Sequence, residues 1–442
     1  MKPTRRLAFA ALALLLIPAA GLRAWDYEGH RIVNQLALQS LPADFPEFVL
    51  KSEAARERIA FLAGEPDRWR NLPDLPLKQY NAVDHYFDLE QVTEAGLDPA
   101  KLPSMRYDFA VQYALGRAAH PENFPAIEPE KNTDHTREWT GFAPWAIAEY
   151  YGKLRSEFSY LKVFQDLGTP EEIANAQANI VYVMGVMGHY VGDCAQPLHA
   201  TKHHHGWAGD NPQGYTTWSG IHGWIDGGFL AKAHITFSGI APRVIPATAI
   251  ALTPPADGRD PLFVATMDYL MGTLKLVEPL YQLEKAGKLS DAFEKAGKEA
   301  KAGLKPEPAS AEGRAFIEAQ LLRGGEMLGA IWLTAWHNSP PDTYLRAQLL
   351  KRQSAAHHPA GAQAVAAQPE PAKPELAKTE PAAPEAADAK AAGEYWGSAK
   401  GTTYHRPSCQ WAQKTKPPNR VVFKSKEEAV KAGYHPCNDC KP

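Results

Sequence analysis

From residue 30 to about 350, apolar side chains recur every three or four positions, and no run alternates apolar with polar in the manner of a strand. The stretches HRIVNQLALQSL, EFVLKSEAARERIAFLAG, APWAIAEYYGKLRSEFSYLKVF, EEIANAQANIVYVMGVMGHYVGD and AEGRAFIEAQLLRGGEMLGAIWLTAW all carry this period. A chain patterned this way buries its apolar faces by packing helix on helix, so the expected fold is all-α. The segments 65–80 and 121–141, rich in Pro, Asn and Asp, read as long functional loops.

The pattern stops near residue 353. Residues 353–393 are Ala, Pro, Glu and Lys with almost no large apolar side chain, which cannot build a core and reads as a semi-extended linker. Aromatic residues return at EYWGSAKGTTYH, so 394–442 is a small second module. At the other end, MKPTRR followed by LAFAALALLLIPAA has the basic start and short apolar run of an export signal. Cleavage after Ala24 would leave Trp25 first in a mature domain of residues 25–352. No later run is long and apolar enough for a membrane span, so the expected product is exported, periplasmic or secreted, with no stable membrane insertion. The formal net charge of -3 suggests no polyanionic partner for the chain as a whole. Cys194 stands alone in the large domain, while Cys409, Cys437 and Cys440 cluster at the C-terminus, a pattern of metal binding rather than disulfide stapling.

Chemistry concentrates in HYVGDCAQPLH. On a helix His189 and Asp193 are one turn apart and share a face, and imidazole with carboxylate suits zinc. Pro197 ends the helix and turns the chain, which could return His199 to the same cavity. IHGWID repeats the spacing with His222 and Asp226. One such pair alone is as easily a cap or a solvated face. The conjunction is not, because WDYEGHRIV, GEPDRWR with Asp67, and NAVDHYFDLE with His85 and Asp88 lie upstream.

Together these motifs resemble the zinc-dependent single-strand nucleases of the fungal and plant bifunctional type, within the phospholipase C/nuclease superfamily. The resemblance spans about 25–340 and rests on the Trp25 start, GH five residues on, HxxD, HxxGDxxQPLH and a later HxxxD. It implies a helical domain holding three zinc ions. The first would take Asp67, His85, His189 and Asp193, and the second His199, His222 and Asp226. The third would take the free amino group and carbonyl of Trp25, with His30 and a bridging Asp193. Asp88 matches the carboxylate that orients the attacking water, Asp67 is counted with it as catalytic, and Tyr86 matches an aromatic that stacks on a nucleobase. On the residues alone, a helix or turn cap is the lesser alternative for Asp88, and a core position the alternative for Tyr86. The chain departs from the family at DYE after Trp25, at LEQ where a basic residue is usual, and at TKHHHGWAGDNPQG after His199. His203, His204 and His205 in that loop are expected to be solvated, with an accessory metal role as the lesser alternative, and Cys194 is expected to be a small buried residue.

In the small module, His405 and Cys409 precede Cys437 and Cys440 at structural-zinc spacing, with His435 a competitor for His405. YHRPSCQWA, EEAVKAGYHPC and the terminal CxxC resemble the Ada metal-binding domain, with His405 where that domain has Cys, so methyl transfer is not expected. A zinc-stabilised α+β fold is expected. Its nine Lys and Arg against four acids, including Lys414, Lys416, Arg420, Lys424 and Lys426, could hold nucleic acid near the active site. Of Tyr395, Trp396 and Trp411, at least two are expected to pack internally.

The resemblance therefore implies a hydrolase of endonuclease and 3′-nucleotidase type. It would cleave single-stranded DNA and RNA to 5′-phosphate products through a zinc-bound hydroxide, zinc lowering the pKa of bound water to about 7. The alternatives are a zinc-dependent phospholipase C and a non-catalytic zinc- or nucleic-acid-binding protein.

Overall fold

The computed structural model describes residues 25–290, 295, 308–357, 395–399, 401–437 and 440. The expected export signal and most of the expected linker lie outside the described residues. The chain divides into two units, residues 1–362 and 363–442.

The large unit is helical, as its periodicity predicts. Its axis is a hairpin of two long helices, Ala143–Leu167 and Pro170–Asp193. Gly168 ends the first, and a capping box starts the second: Thr169 Oγ1 accepts from the Glu172 N–H while the Glu172 carboxylate accepts from the Thr169 N–H at 2.9 Å. The helix Tyr27–Ser40 packs on both Pro170–Asp193 and Ala311–His337, burying Val33, Leu36, Met184, Leu328 and Trp332. It comes close because Gly188 and Gly192 present no side chain to it, as Gly185 presents none to Ile59 and Leu62 of the helix Glu53–Leu62. A Cβ on Gly188 would stand 1.7 Å from Asn34 Oδ1, and Asn34 cannot swing aside because its Nδ2 donates to the carbonyls of Ile59 and Gly185. The last helix, Thr343–His357, runs past residue 352, the expected domain end. Its composition of Leu, Arg, Gln, Lys and Ala favours helix until Pro359.

Beside the hairpin, the segment Val83–Leu89 threads between two others. The N–H groups of Phe87 and Leu89 donate to the carbonyls of His199 and Ala200, and that of Asp88 donates to Thr140. Gly141, at φ +103°, allows this closeness, since a Cβ there would lie 2.0 Å from the Tyr86 carbonyl oxygen. No helix among the described residues is long and apolar enough to cross a membrane.

The small unit is α+β. Its four-stranded sheet has the order β3-β1-β2-β4, with β1 Tyr395–Ser398, β2 Thr403–His405, β3 Arg420–Phe423 and β4 His435–Pro436. β1 is antiparallel to β2 and β3, and β4 is parallel to β2. One face buries Tyr404, Phe423 and Ala429, with Tyr395 packed against them. The other carries Trp396 over Cys409, Ala412 and Cys437. Trp411 is 46% exposed, so two of the three aromatics pack internally.

Candidate metal centre

The Pro170–Asp193 helix is the platform. His189 and Asp193, one turn apart and fully buried, approach to 3.3 Å. His189 Nδ1 donates to the Ala63 carbonyl at 2.6 Å, so its neutral ring keeps a lone pair on Nε2, facing His85 Nδ1 at 2.8 Å. His199 is set the same way: Nδ1 donates to the His85 carbonyl at 2.6 Å, leaving Nε2 opposite His222 Nε2 at 2.9 Å. Such second-side bonds to backbone carbonyls orient imidazoles as ligands.

Asp193 is the hub. Its carboxylate lies 3.4 Å from His30, 3.2 Å from His85, 3.3 Å from His189 and 3.8 Å from His199. His30 stacks on His189 at 3.7 Å, in the space Gly192 leaves open. The segment 65–80, expected as a loop, is largely helical, with helices Glu65–Arg70 and Leu75–Ala82; Asp67, in the first turn of Glu65–Arg70, lies 4.0 Å from His85 and pairs with Arg70 at 2.7 Å. Its carboxylate also groups with His30 and His189, while His85, His189 and Asp193 form one donor set and His199, His222 and Asp226 another. His222 and Asp226 stand 3.2 Å apart, and a π turn at Trp224–Gly228 carries the aspartate. Trp25 is buried against this floor: its Nε1–H donates to the Gly192 carbonyl at 2.9 Å, and the Asp26 N–H donates to the Asp226 carbonyl.

The electrostatics test whether these donors fit cations. Burial holds His189 and His199 down to about 3, and His30, His85 and His222 well below their usual value. Burial likewise drives Asp193 and Asp226 well above the carboxylate range. Both Asp193 oxygens, both His30 nitrogens, His85 Nε2, His222 Nδ1 and Asp226 Oδ2 are buried with no hydrogen-bond partner among the described residues. Neutral imidazoles and carboxylates left without partners are costly in an apolar interior unless cations neutralise them. Nitrogen and oxygen donors in groups of three fit zinc.

The floor opens into a cavity of about 460 Å³. Tyr86, Phe124 and Trp139 give it flat apolar walls, with Arg137 and Asp88 also lining it. Asp88 occupies the N-cap position of Leu89–Glu94 but its side chain makes no cap bond, and its buried Oδ1 has no hydrogen-bond partner among the described residues. Tyr86 lines the cavity rather than sitting in the core.

The expectation for the histidine run is corrected. His203 is 8% exposed and stacks on Trp207 at 4.0 Å, and His204 and His205 line the cavity. The loop folds back because Tyr281 and Glu90 hold it, which local composition does not reveal. His204 Nδ1 lies 3.7 Å from Asp88 Oδ1. Burial works against its charge, but the Asp88 carboxylate outweighs this and raises its pKa. Spacing alone gives Gln196 no role. Its Nε2–H donates to Asp226 Oδ1 at 2.6 Å, and its Oε1 accepts from the Leu198 N–H, orienting the ligand carboxylate. Arg70, equally unassigned, orients Asp67. Cys194 is a buried thiol.

In the small unit, one donor atom from each of His405, Cys409, Cys437 and Cys440 lies within 4.8 Å of the others. His405 Nδ1 is 3.6 Å from Cys409 Sγ. His435, the competitor, is exposed on β4 and outside this set. All four cysteines of the chain are free of disulfides.

No curated protein matches the chain. Among solved structures it is similar to alpha-toxin of Clostridium perfringens, from an avian strain, at 12% identity and a TM-score of 0.35. The similarity covers 72% of this chain and 65% of that one. Residues 381–442 match the family model of the metal binding domain of Ada, which brings the small unit's Cys and His donors within a zinc-binding type.

Proposed function

We propose that the large unit is a zinc-dependent phosphodiesterase that cleaves single-stranded DNA and RNA, leaving 5′-phosphate ends. The observation that carries this reading is convergence. Donors from segments as far apart as His30 and Asp226 meet on one buried floor beneath a cavity with flat aromatic walls. Asp67, His85, His189 and Asp193 would hold one zinc ion, His199, His222 and Asp226 a second, and Trp25, His30 and Asp193 a third. Zinc there would supply an acidified water and positive charge for a phosphodiester.

The chain's own residues then do the rest. Asp88 accepts a hydrogen bond from the attacking water and orients it toward phosphorus. Gln196 and Arg70 keep Asp226 and Asp67 aimed at the floor. Tyr86, Phe124 and Trp139 offer faces on which any base can stack, which suits an enzyme tolerant of sequence. The small unit would hold zinc through His405, Cys409, Cys437 and Cys440. It would also retain nucleic acid through exposed Lys414, Lys416, Lys424 and Lys426, with Lys414 over Trp411 at 4.4 Å. Export, as read from the N-terminus, would free the Trp25 amino group.

A phospholipase C is the second reading. It is favoured by Met105, Tyr107, Val111 and Leu115, a ridge 60–82% exposed on and before the helix Arg106–Ala119, whose Arg117 braces the cavity loop. The test is to incubate protein beginning at Trp25 with single-stranded DNA and with phosphatidylcholine, each with zinc and with chelator. Zinc-dependent release of 5′-phosphorylated fragments with the lipid intact upholds the nuclease. Lipid cleavage alone moves the protein to the second reading. Zinc bound without either activity leaves a binding protein.

A further inference from the structure

We propose that His204 and His205 are working residues of the cavity: His205 donates a hydrogen bond to a phosphate oxygen of the substrate, and His204 is a positioning residue for Asp88. This rests on the phosphodiesterase reading and assigns roles to side chains that the metal-donor motifs do not include.

The loop that carries them is built, not draped. Thr201 Oγ1 donates to Glu90 at 2.6 Å, and the Lys202 N–H donates to the same carboxylate at 3.1 Å. His203 faces away from the cavity and pins the loop: it stacks on Trp207, its Nδ1 accepts from the Ala208 N–H at 3.0 Å, and its carbonyl accepts from the Tyr281 hydroxyl. Gly206 turns the chain at φ +93°, and a Cβ there would lie 2.5 Å from the Thr217 backbone. Three clamps on one short run fix where the next two rings stand.

Those rings meet the chemistry. His204 Nδ1 donates to the Thr201 carbonyl at 3.0 Å, which fixes the ring 3.7 Å from Asp88 Oδ1, an ion-pair distance that lets it act on the carboxylate electrostatically while leaving both oxygens free to accept. His205 lies edge-on to His204 at 4.4 Å and beside His222 at 5.5 Å. Its Nδ1 is buried with no hydrogen-bond partner among the described residues. The imidazoles of His189 and His199, by contrast, are committed to backbone carbonyls. A phosphodiester presents only acceptor oxygens, so a ring that lines the cavity and has a nitrogen without a partner among the described residues matches what it lacks. His204 would set the water-orienting carboxylate, and His205 would set the phosphate.

The test uses the full chain loaded with zinc, and the variants His205→Ala, His205→Gln, His204→Ala and His204→Gln. Three quantities are read: zinc per chain, affinity for inorganic phosphate, and kcat and KM for bis(4-nitrophenyl) phosphate. Zinc content should be that of wild type throughout. His205→Ala should weaken phosphate binding and raise KM about tenfold, the loss of one hydrogen bond to an anion, with kcat within about twofold. Glutamine at 205 should recover most of it. His204→Ala should lower kcat about tenfold or more while KM and phosphate affinity stay put, and glutamine at 204 should restore part of kcat. Wild-type phosphate affinity in His205→Ala, wild-type kcat in His204→Ala, or loss of zinc from either would overturn the assignment. Should the wild type bind phosphate through His205 yet cleave no diester, the phosphodiesterase reading falls, and with it the role of His204, while the phosphate contact stands. If it neither binds nor cleaves, both fail.

Discussion

The molecule holds two sets of metal donors in opposite surroundings. In the large unit, Asp193 and its histidines are an interruption inside an extended core that includes Trp25, Val33, Met184, Leu198 and Trp332. In the small unit, Cys409 and Cys437 with Ala412 are the buried cluster on one side of the sheet, and among the described residues the other side's cluster is Tyr404, Phe423 and Ala429. A unit with few apolar side chains gains little from burial against its chain entropy, so a metal bound by these donors would supply folding energy. The large unit has an extended apolar core of its own, and its buried acids are the groups that a cation would neutralise.

The strongest way to break that contrast is chelation. Structural zinc contributes about 10–16 kcal/mol in small modules, so removing it should unfold 395–437 while the helices of the large unit persist. Limited proteolysis and far-ultraviolet circular dichroism on the full chain would read both. A small unit still protected after chelation would erase the distinction. Next is Asp193→Asn, which removes the hub charge and should cost about a thousandfold or more in diester cleavage, several kcal/mol, with helix content retained. Cys437→Ser, measured beside it, should leave cleavage of a small diester alone. Comparable losses in both would mean that the two donor sets act together.

Gly188→Ala probes the support rather than the donors. The added methyl meets Asn34, and overpacking of this kind costs about 1–3 kcal/mol, seen as a lower denaturation midpoint. The smallest effect is in pH. Asp193 and Asp226 have folded pKa values raised above the unfolded carboxylate, so the metal-free fold carries stability at acid pH that is lost as pH climbs through those values. With zinc present both acids stay ionised, whereas His189 and His199, at about 3, are already neutral across the range. The difference in Tm between loaded and stripped protein should therefore widen from pH 5 to 8 at fixed free zinc. A gap that narrows would count against buried, cation-awaiting carboxylates.

Helix period was legible because it is local. So was the pairing of His189 with Asp193, since one turn of helix brings them together. The meeting of His30, Asp67 and Asp226 with that pair depends on tertiary packing, and only the conjunction of motifs hinted at it. The π turn under Asp226 left no mark in spacing. The histidine run was misread for a similar reason. His203, His204 and His205 are polar and sit in a loop, but the partners that fold the loop inward, Glu90 and Tyr281, are far away in sequence. Phe124 and Trp139 were hidden in a segment whose composition indicated only a loop.

The platform helix Pro170–Asp193 also sets where this chain can change length. A single residue inserted between His189 and Asp193 would rotate the carboxylate by about 100° and lift it by about 1.5 Å, away from its four imidazole neighbours. Nothing downstream could restore the phase, because the helix ends at that residue. The turn around Gly209, where an added Cβ meets nothing, carries no such register. Insertions and deletions should accumulate there and be absent from 189–193, so that the site is inherited as a fixed length of helix as much as a set of residues.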